Sequence, residues 1–256
     1  MASVWKPTRA EAVFFRRQEP MIVVNIADVL DAMREPGCPV CQISRDRVTR
    51  HLDRLLYELV GDPETRQQIR ASLGLCNQHA WQLLSFPSSP GLGIAILYRD
   101  VLQELATALH DPSPAHQRTG LANALTGHQG RESGPPRLPS PEEACPVCEY
   151  RDQIEARALG ALLEALGEQG SQAETTLGQS QGLCWAHLRL ALSIEAPNAA
   201  HDFLLRDARR RVEDLDKALA EYIRHFDYQH AQTPAGSWKG AARRILAFIH
   251  AEPGVR

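Results

Sequence analysis

Cys38-Pro39-Val40-Cys41 and Cys76-Asn77-Gln78-His79 are the stretches that decide this fold, because both motifs recur later in the chain. A second Cys-Pro-Val-Cys starts at Cys145, 107 residues after the first, and a second Cys-x-x-His starts at Cys184, 108 residues after its counterpart. All six cysteines of the chain fall in these motifs. The pattern predicts an internal duplication in which each half carries three cysteines and one histidine.

This ligand chemistry predicts bound zinc. Zn²⁺ takes four tetrahedral donors from thiolates and imidazoles, and the i, i+3 spacing of Cys-x-x-His places two donors on one helical face. Proline after the first cysteine of Cys-Pro-Val-Cys suits the start of a helix, whose free N–H groups stabilise thiolate charge. We expect two structural zinc ions per chain, bound by Cys38, Cys41, Cys76 and His79 and by Cys145, Cys148, Cys184 and His187.

Chain entropy favours closing each site within its own half. In that arrangement 34 or 35 residues lie between the Cys-Pro-Val-Cys motif of a site and the cysteine of its Cys-x-x-His motif. If the Cys-x-x-His motifs of the two halves exchanged their Cys-Pro-Val-Cys partners, 68 and 142 residues would lie between them. The exchange costs roughly 1 kcal/mol more per site by the logarithmic rule for loop closure. We therefore expect one metal site in each half.

Other uses of the cysteines fit less well, although one of them remains open. Disulfides within a half would leave one of its three thiols unpaired, and a redox dithiol would leave the Cys-x-x-His pairs without a role. An iron-sulfur cluster held by three thiolates and one imidazole stays an alternative to zinc. Four protein ligands close the coordination shell, which favours a structural ion over a catalytic one.

The apolar spacing and the Gly/Pro breaks predict an all-α fold of two related helical lobes. We assign residues 1–110 to the first lobe with its N-terminal extension, 111–141 to a flexible linker with six of the 17 prolines, and 142–256 to the second lobe. Residues 27–34 look helical, and residues 13–15 and 21–24 are candidate short strands. The other predicted helices cover 39–60, 63–72, 75–86, 92–110, 146–168, 171–178, 183–194 and 198–230.

The C-terminal helices offer candidate interaction surfaces. The apolar stripe of residues 198–230 predicts a core-packing helix, with a homodimer seam as the alternative. Residues 238–250 are expected to dock on the bundle, with partner or membrane-surface binding as the alternative. Arg206 and residues 209–211 alternate with acidic residues, which is typical of a solvated, salt-bridged face. Trp81 and Trp185, close to the ligands, are expected in the core.

Composition narrows the class of protein. The chain has 256 residues, 43% of them apolar, and a net charge of -3, which argues against a general nucleic-acid binder. The first ten residues lack the pattern of a signal peptide, and no apolar stretch is long enough to span a membrane. We therefore expect a cytoplasmic protein whose thiols stay reduced.

The doubled motifs, with Gly74-Leu75-Cys76 in the first half and Gly182-Leu183-Cys184 in the second, resemble an uncharacterised bacterial family with paired CPxC and CxxH motifs. The resemblance covers most of residues 36–230. It implies a helical fold and metal ligation by the eight residues above, and it brings no established activity.

The sequence suggests three functions. The first is a non-enzymatic, zinc-stabilised interaction or regulatory protein with an unnamed protein partner, because the chain holds no catalytic triad, phosphate loop, dinucleotide fingerprint or H-E-x-x-H motif. The second is a thiol-based redox or metal sensor, because zinc-bound thiolates remain nucleophilic. The third is a metalloenzyme, which requires that water replaces one of the protein ligands.

Overall fold

A computed structural model describes residues 23–86, 91–110, 138–167, 171–225 and 240–251. Within these ranges the regular structure is helical and contains no strand, as predicted. The helices are α1 (Ile26–Ala32), α2 (Pro39–Tyr57), α3 (Pro63–Ala71), α4 (Asn77–Gln82), α5 (Gly91–His110), α6 (Pro146–Leu166), α7 (Gln172–Gln179), α8 (Trp185–Ala191), α9 (Asn198–His225) and α10 (Ala241–His250). A single 3₁₀ turn, Leu83–Ser85, follows α4.

The helix bounds agree with the sequence predictions to within a few residues, and α4 and α8 are shorter than predicted at both ends. Those two begin at Asn77 and Trp185, because Cys76 and Cys184 are extended N-cap residues rather than helical ones. The candidate strand at 13–15 and most of the linker lie outside the described residues. Val23 and Val24, from the second candidate strand, have no regular structure.

Local chemistry explains where the helices start. Asn25 and Asp28 form a reciprocal capping box at α1, and the Asp62 carboxylate accepts from the Thr65 N–H at 2.7 Å at α3. Helices α2, α3 and α6 each have proline at their first position. The first N–H groups of a helix have no carbonyl partner within it, so the missing N–H of proline costs nothing there, and the φ of proline already suits a helix. These signals are local, which is why sequence reasoning located the helices.

Helices α2 and α6 form the centre of the fold and run antiparallel. Ser44, near the start of α2, donates to Glu155 in the middle of α6. His51, further along α2, stacks on Tyr150, nearer the start of α6, with ring centroids 4.1 Å apart. The N-terminus of each central helix therefore lies beside the second half of the other.

Two hydrophobic clusters flank this pair, and each contains residues from both halves of the sequence. In the larger one, Val40 and Ile43 from the start of α2 pack with Leu159 and Leu162 of α6 and with the helices that follow α6. In the smaller one, Val147 from the start of α6 joins the end of α2 together with residues of α3 and α5. Each core is thus completed by a helix end from the opposite half.

The C-terminal helix α10 docks on α8 and α9, as expected. Its Phe248 is 9% exposed and its ring centroid lies 6.4 Å from that of Trp185. The expectation that both tryptophans are core residues is wrong, since Trp81 is 67% and Trp185 45% exposed. Among the described residues, no helix is long and apolar enough to cross a membrane.

The long helix α9 packs on the core along part of the predicted stripe. Leu204 is 2% exposed, whereas Val212 is 46% exposed. The predicted helix ended at residue 230, and residues 226–230 lie outside the described ranges.

Candidate metal centres

The eight motif residues meet in two clusters, but not in the combination expected from loop entropy. Site 1 consists of Cys38, Cys41, Cys184 and His187, and site 2 consists of Cys76, His79, Cys145 and Cys148. In each cluster the ligand atoms all lie within 4.8 Å of one another. The expectation that each site closes within one half is therefore wrong, because both sites take two ligands from each half.

The antiparallel central pair accounts for this exchange. Cys41 lies 16 residues before Tyr57, the last residue of α2, so about 24 Å of helix separates Cys41 from the segment that follows α2. The same antiparallel packing brings the start of α6 to the end of α2, close to α4. The roughly 1 kcal/mol entropy advantage of closing within a half is too small to oppose that packing.

The distances between ligand atoms fit tetrahedral coordination of one ion at each site. In site 1 the Cys41 and Cys184 sulfurs are 3.8 Å apart, and the His187 Nδ1 lies 3.2 to 3.4 Å from the three sulfurs. In site 2 the Cys76 and Cys148 sulfurs are 3.6 Å apart, and the His79 Nδ1 lies 3.3 to 3.7 Å from its sulfurs. Zinc bond lengths in a tetrahedron imply about 3.8 Å between sulfurs and about 3.6 Å between sulfur and nitrogen. Both clusters can bind a metal ion through Nδ1 of their histidine.

Four helix N-termini converge on the two sites. Cys38 and Cys184 are the N-cap residues of α2 and α8 at site 1, and Cys145 and Cys76 are those of α6 and α4 at site 2. The partial positive charge at a helix N-terminus stabilises negative charge placed there. Each site therefore joins two helix N-termini around its thiolates.

A glycine in the left-handed region precedes each Cys-x-x-His, and a side chain from a later helix covers it. Gly74 has a φ of 97° and lies under Tyr98 of α5, whose hydroxyl accepts from the Leu75 N–H. Gly182 has a φ of 73° and lies under Arg211 of α9. These two glycines place the turn that positions the cysteine two residues later.

The two sites differ in their exposure to solvent. All four ligands of site 1 are buried, with Cys38 the most exposed at 7%. At site 2, His79 is buried, whereas Cys76 and Cys148 are partly exposed. Solutes therefore have better access to the sulfurs of site 2.

Site 1 also has a buried carboxylate behind its histidine. The Glu155 Oε2 lies 3.3 Å from the His187 Nε2, and Glu155 is 2% exposed. The Ser44 hydroxyl donates to the other carboxylate oxygen at 3.3 Å. Sequence reasoning missed Glu155, because it lies outside the repeated motifs and the position 107 residues earlier is Val48, which is not acidic.

The electrostatics of site 1 couple metal binding to proton release. Burial disfavours the charged imidazole, but contacts with the Cys184 and Cys38 sulfurs and with Glu155 outweigh it and raise the pKa of His187 to about 11. Side-chain hydrogen bonds with Cys38 and Cys41 hold the pKa of the Cys184 thiol far below its usual range. An ion that binds here displaces the shared protons, so metal affinity falls as the pH falls.

Comparison with known proteins adds a family and no activity. The protein-family model described as "Family of unknown function (DUF6062)" matches residues 18–254 of the chain. No curated protein and no solved structure matches the chain.

Proposed function

The chain belongs to this family of unknown function, and we propose that it is a zinc-stabilised helical protein that acts as a non-enzymatic interaction or regulatory module. The observation that carries the proposal is that each cluster takes two ligands from each half of the sequence. An ion at either site then cross-links two segments that are far apart in the chain. The metal ions hold the bundle together.

Three features support zinc in a structural role. Each cluster offers four protein ligands, which leaves no position for water or substrate. The sulfur-sulfur distances of 3.6 and 3.8 Å suit donors around a single ion. A multi-iron cluster distributes its cysteines over different irons, which calls for wider spacing than these distances.

Site 2 supports the interaction role because it fixes an exposed apolar surface. Trp81 and Leu84, on α4 and the following 3₁₀ turn, are 67% and 58% exposed. They lie within five residues of the ligand His79, so metal binding at site 2 holds them in place. Large apolar side chains exposed three residues apart on consecutive helical segments favour contact with a partner protein.

The test is metal analysis and a visible spectrum of protein purified without added metal. We expect colourless protein with two zinc ions per chain. Replacing Cys148 with serine should lower the zinc content toward one ion per chain. Glu149 is an exposed neighbour on α6, and the Glu149→Gln variant should keep two zinc ions per chain. Visible absorption bands with bound iron, or two ions retained in the Cys148→Ser variant, would contradict the proposal.

A thiol-based sensor is the second candidate, favoured by the partial exposure of Cys76 and Cys148 and their sulfur-sulfur distance of 3.6 Å. Hydrogen peroxide would take two electrons from this pair of thiolates, forming the S–S bond, breaking the O–O bond and yielding two hydroxide ions as zinc leaves. Adding one equivalent of peroxide to the same sample separates the two candidates. If one zinc ion is released, and if a thiol reductant and added zinc restore it, the result supports the sensor. If both zinc ions are retained, the result supports the purely structural role.

A further inference from the structure

A pocket of about 390 Å³ lies beside site 1, and the metal-site argument does not use it. Four segments form its walls: Gly37 and Cys38 just before α2, the turn at residues 180–184, the middle of α9 and residues 244–248 of α10. The volume falls in the range of about 300 to 1,000 Å³ that is common for small-molecule sites. The pocket exists because α10 docks across α8 and α9.

The lining of the pocket combines an apolar wall with arginine side chains. Leu183, Leu215, Ala247 and Phe248 supply the apolar part. The arginines are Arg210, Arg211 and Arg244, and Asp214 is the carboxylate among the lining residues. The pocket therefore presents many N–H donors, few acceptors and a substantial apolar surface.

Arg211 is a fixed part of this lining. It is 12% exposed, and it donates to the Asp207 carboxylate and to the backbone carbonyls of Ser180 and Leu177 at 2.6 to 2.7 Å. A guanidinium carries five N–H donors, so these three bonds leave two further N–H groups on a side chain that lines the pocket. Gly182 permits this position, because a Cβ there would come within 2.4 Å of the Arg211 Nε.

Charge balance around the pocket selects the class of ligand. Asp207 pairs with both Arg210 and Arg211, and the Asp214 carboxylate lies 3.9 Å from the Arg210 guanidinium. Thiolates of site 1 in the wall at Cys38 and Cys184 offset more of the positive charge. A nearly balanced pocket does not suit a polyphosphate, whereas its directional N–H donors and apolar wall suit a single carboxylate on an apolar body.

We propose that this pocket binds a small amphipathic monocarboxylate, whose carboxylate meets the arginines and whose apolar body lies against Leu183, Leu215 and Phe248. The proposal goes beyond the structural role of the metal ions. It assigns the chain a ligand site that links α10 to the segment carrying Cys184. The solvated, salt-bridged face expected from sequence at residues 206–211 accordingly has a second role on its pocket side.

The test is isothermal titration calorimetry of the metal-loaded full chain with sodium octanoate, compared with octylamine and octanol. We expect octanoate to bind. Octylamine, which is a cation at neutral pH, and octanol should bind at least about tenfold more weakly, because neither can accept charge-assisted hydrogen bonds from the arginines. Arg244→Gln should weaken octanoate about tenfold. Arg243→Gln, the neighbouring position outside the lining, should leave the affinity unchanged.

Metal content, measured on every variant, keeps the result separate from the proposed structural role. A variant that retains two ions per chain is folded around both sites, so a change in its octanoate affinity reports on the pocket. Absence of octanoate binding, equal binding of octanol, or equal loss in the Arg243 and Arg244 variants would overturn the proposal, whatever the metal content.

Discussion

Glu155 is the residue that most clearly distinguishes the two metal sites. Its carboxylate lies 3.3 Å from the ring nitrogen of His187 that faces away from the sulfurs, and it accepts from Ser44. A carboxylate in this position fixes the orientation of the imidazole and increases its basicity as a ligand. We therefore infer that Glu155 positions His187 when a metal ion is bound at site 1.

We predict that Glu155→Gln lowers the zinc affinity of site 1 by about 10- to 100-fold, the usual effect of losing such a partner. The amide keeps the shape of the side chain but loses the negative charge beside His187. Competition with a chromophoric chelator measures the two affinities separately, because site 2 should keep its wild-type value. Glu149→Gln on the same helix is the matched control, and an equal loss at both sites would refute the positioning role.

At the scale of elements, the turn between α7 and α8 depends on one glycine and one arginine. Gly182 has a positive φ, and Arg211 of α9 donates to the Ser180 carbonyl in this turn and to the Leu177 carbonyl in the last turn of α7. The turn leads directly into Cys184, so its geometry sets the position of two ligands of site 1. Helix α9 thus helps to build a metal site although it supplies no ligand.

Gly182→Ala should lower the free energy of unfolding by about 2 kcal/mol or more, because it adds left-handed backbone strain and displaces a hydrogen-bonded guanidinium. Gly160→Ala is the matched control: it lies inside α6, and its added Cβ would meet nothing within 4 Å. That change should stabilise the protein by roughly 0.5 to 1 kcal/mol. Urea unfolding with zinc in excess measures both, and an unchanged Gly182→Ala midpoint would contradict the role of the turn.

At the scale of the whole molecule, the exchange of ligands makes the two halves interdependent. The start of α6 completes the site on α4, and the start of α2 completes the site on α8. Structural zinc stabilises small domains by an amount comparable to their whole folding free energy. Loss of a ligand in one half should therefore loosen the other half as well.

We predict that Cys148→Ser increases hydrogen exchange at residues 74–83 in the first half, because Cys76 and His79 lose their partners. Residues 182–191 should stay protected, since site 1 keeps all four ligands. Cys41→Ser is the reciprocal control and should expose residues 182–191 instead. Hydrogen exchange followed by mass spectrometry measures both segments. If Cys148→Ser lost protection only at residues 182–191, the result would indicate that each metal site closes within one half.

The sequence by itself determined the helical class, most helix bounds and the eight candidate ligands. Those features depend on local chemistry: proline and capping residues start helices, glycines break them, and short spacings bring two donors together. The tertiary structure decided which pairs of ligands meet, because antiparallel packing of α2 and α6 outweighs a loop-entropy difference of only about 1 kcal/mol. Glu155 and the arginine-lined pocket likewise emerge only from packing, since their parts come from segments that no local pattern connects.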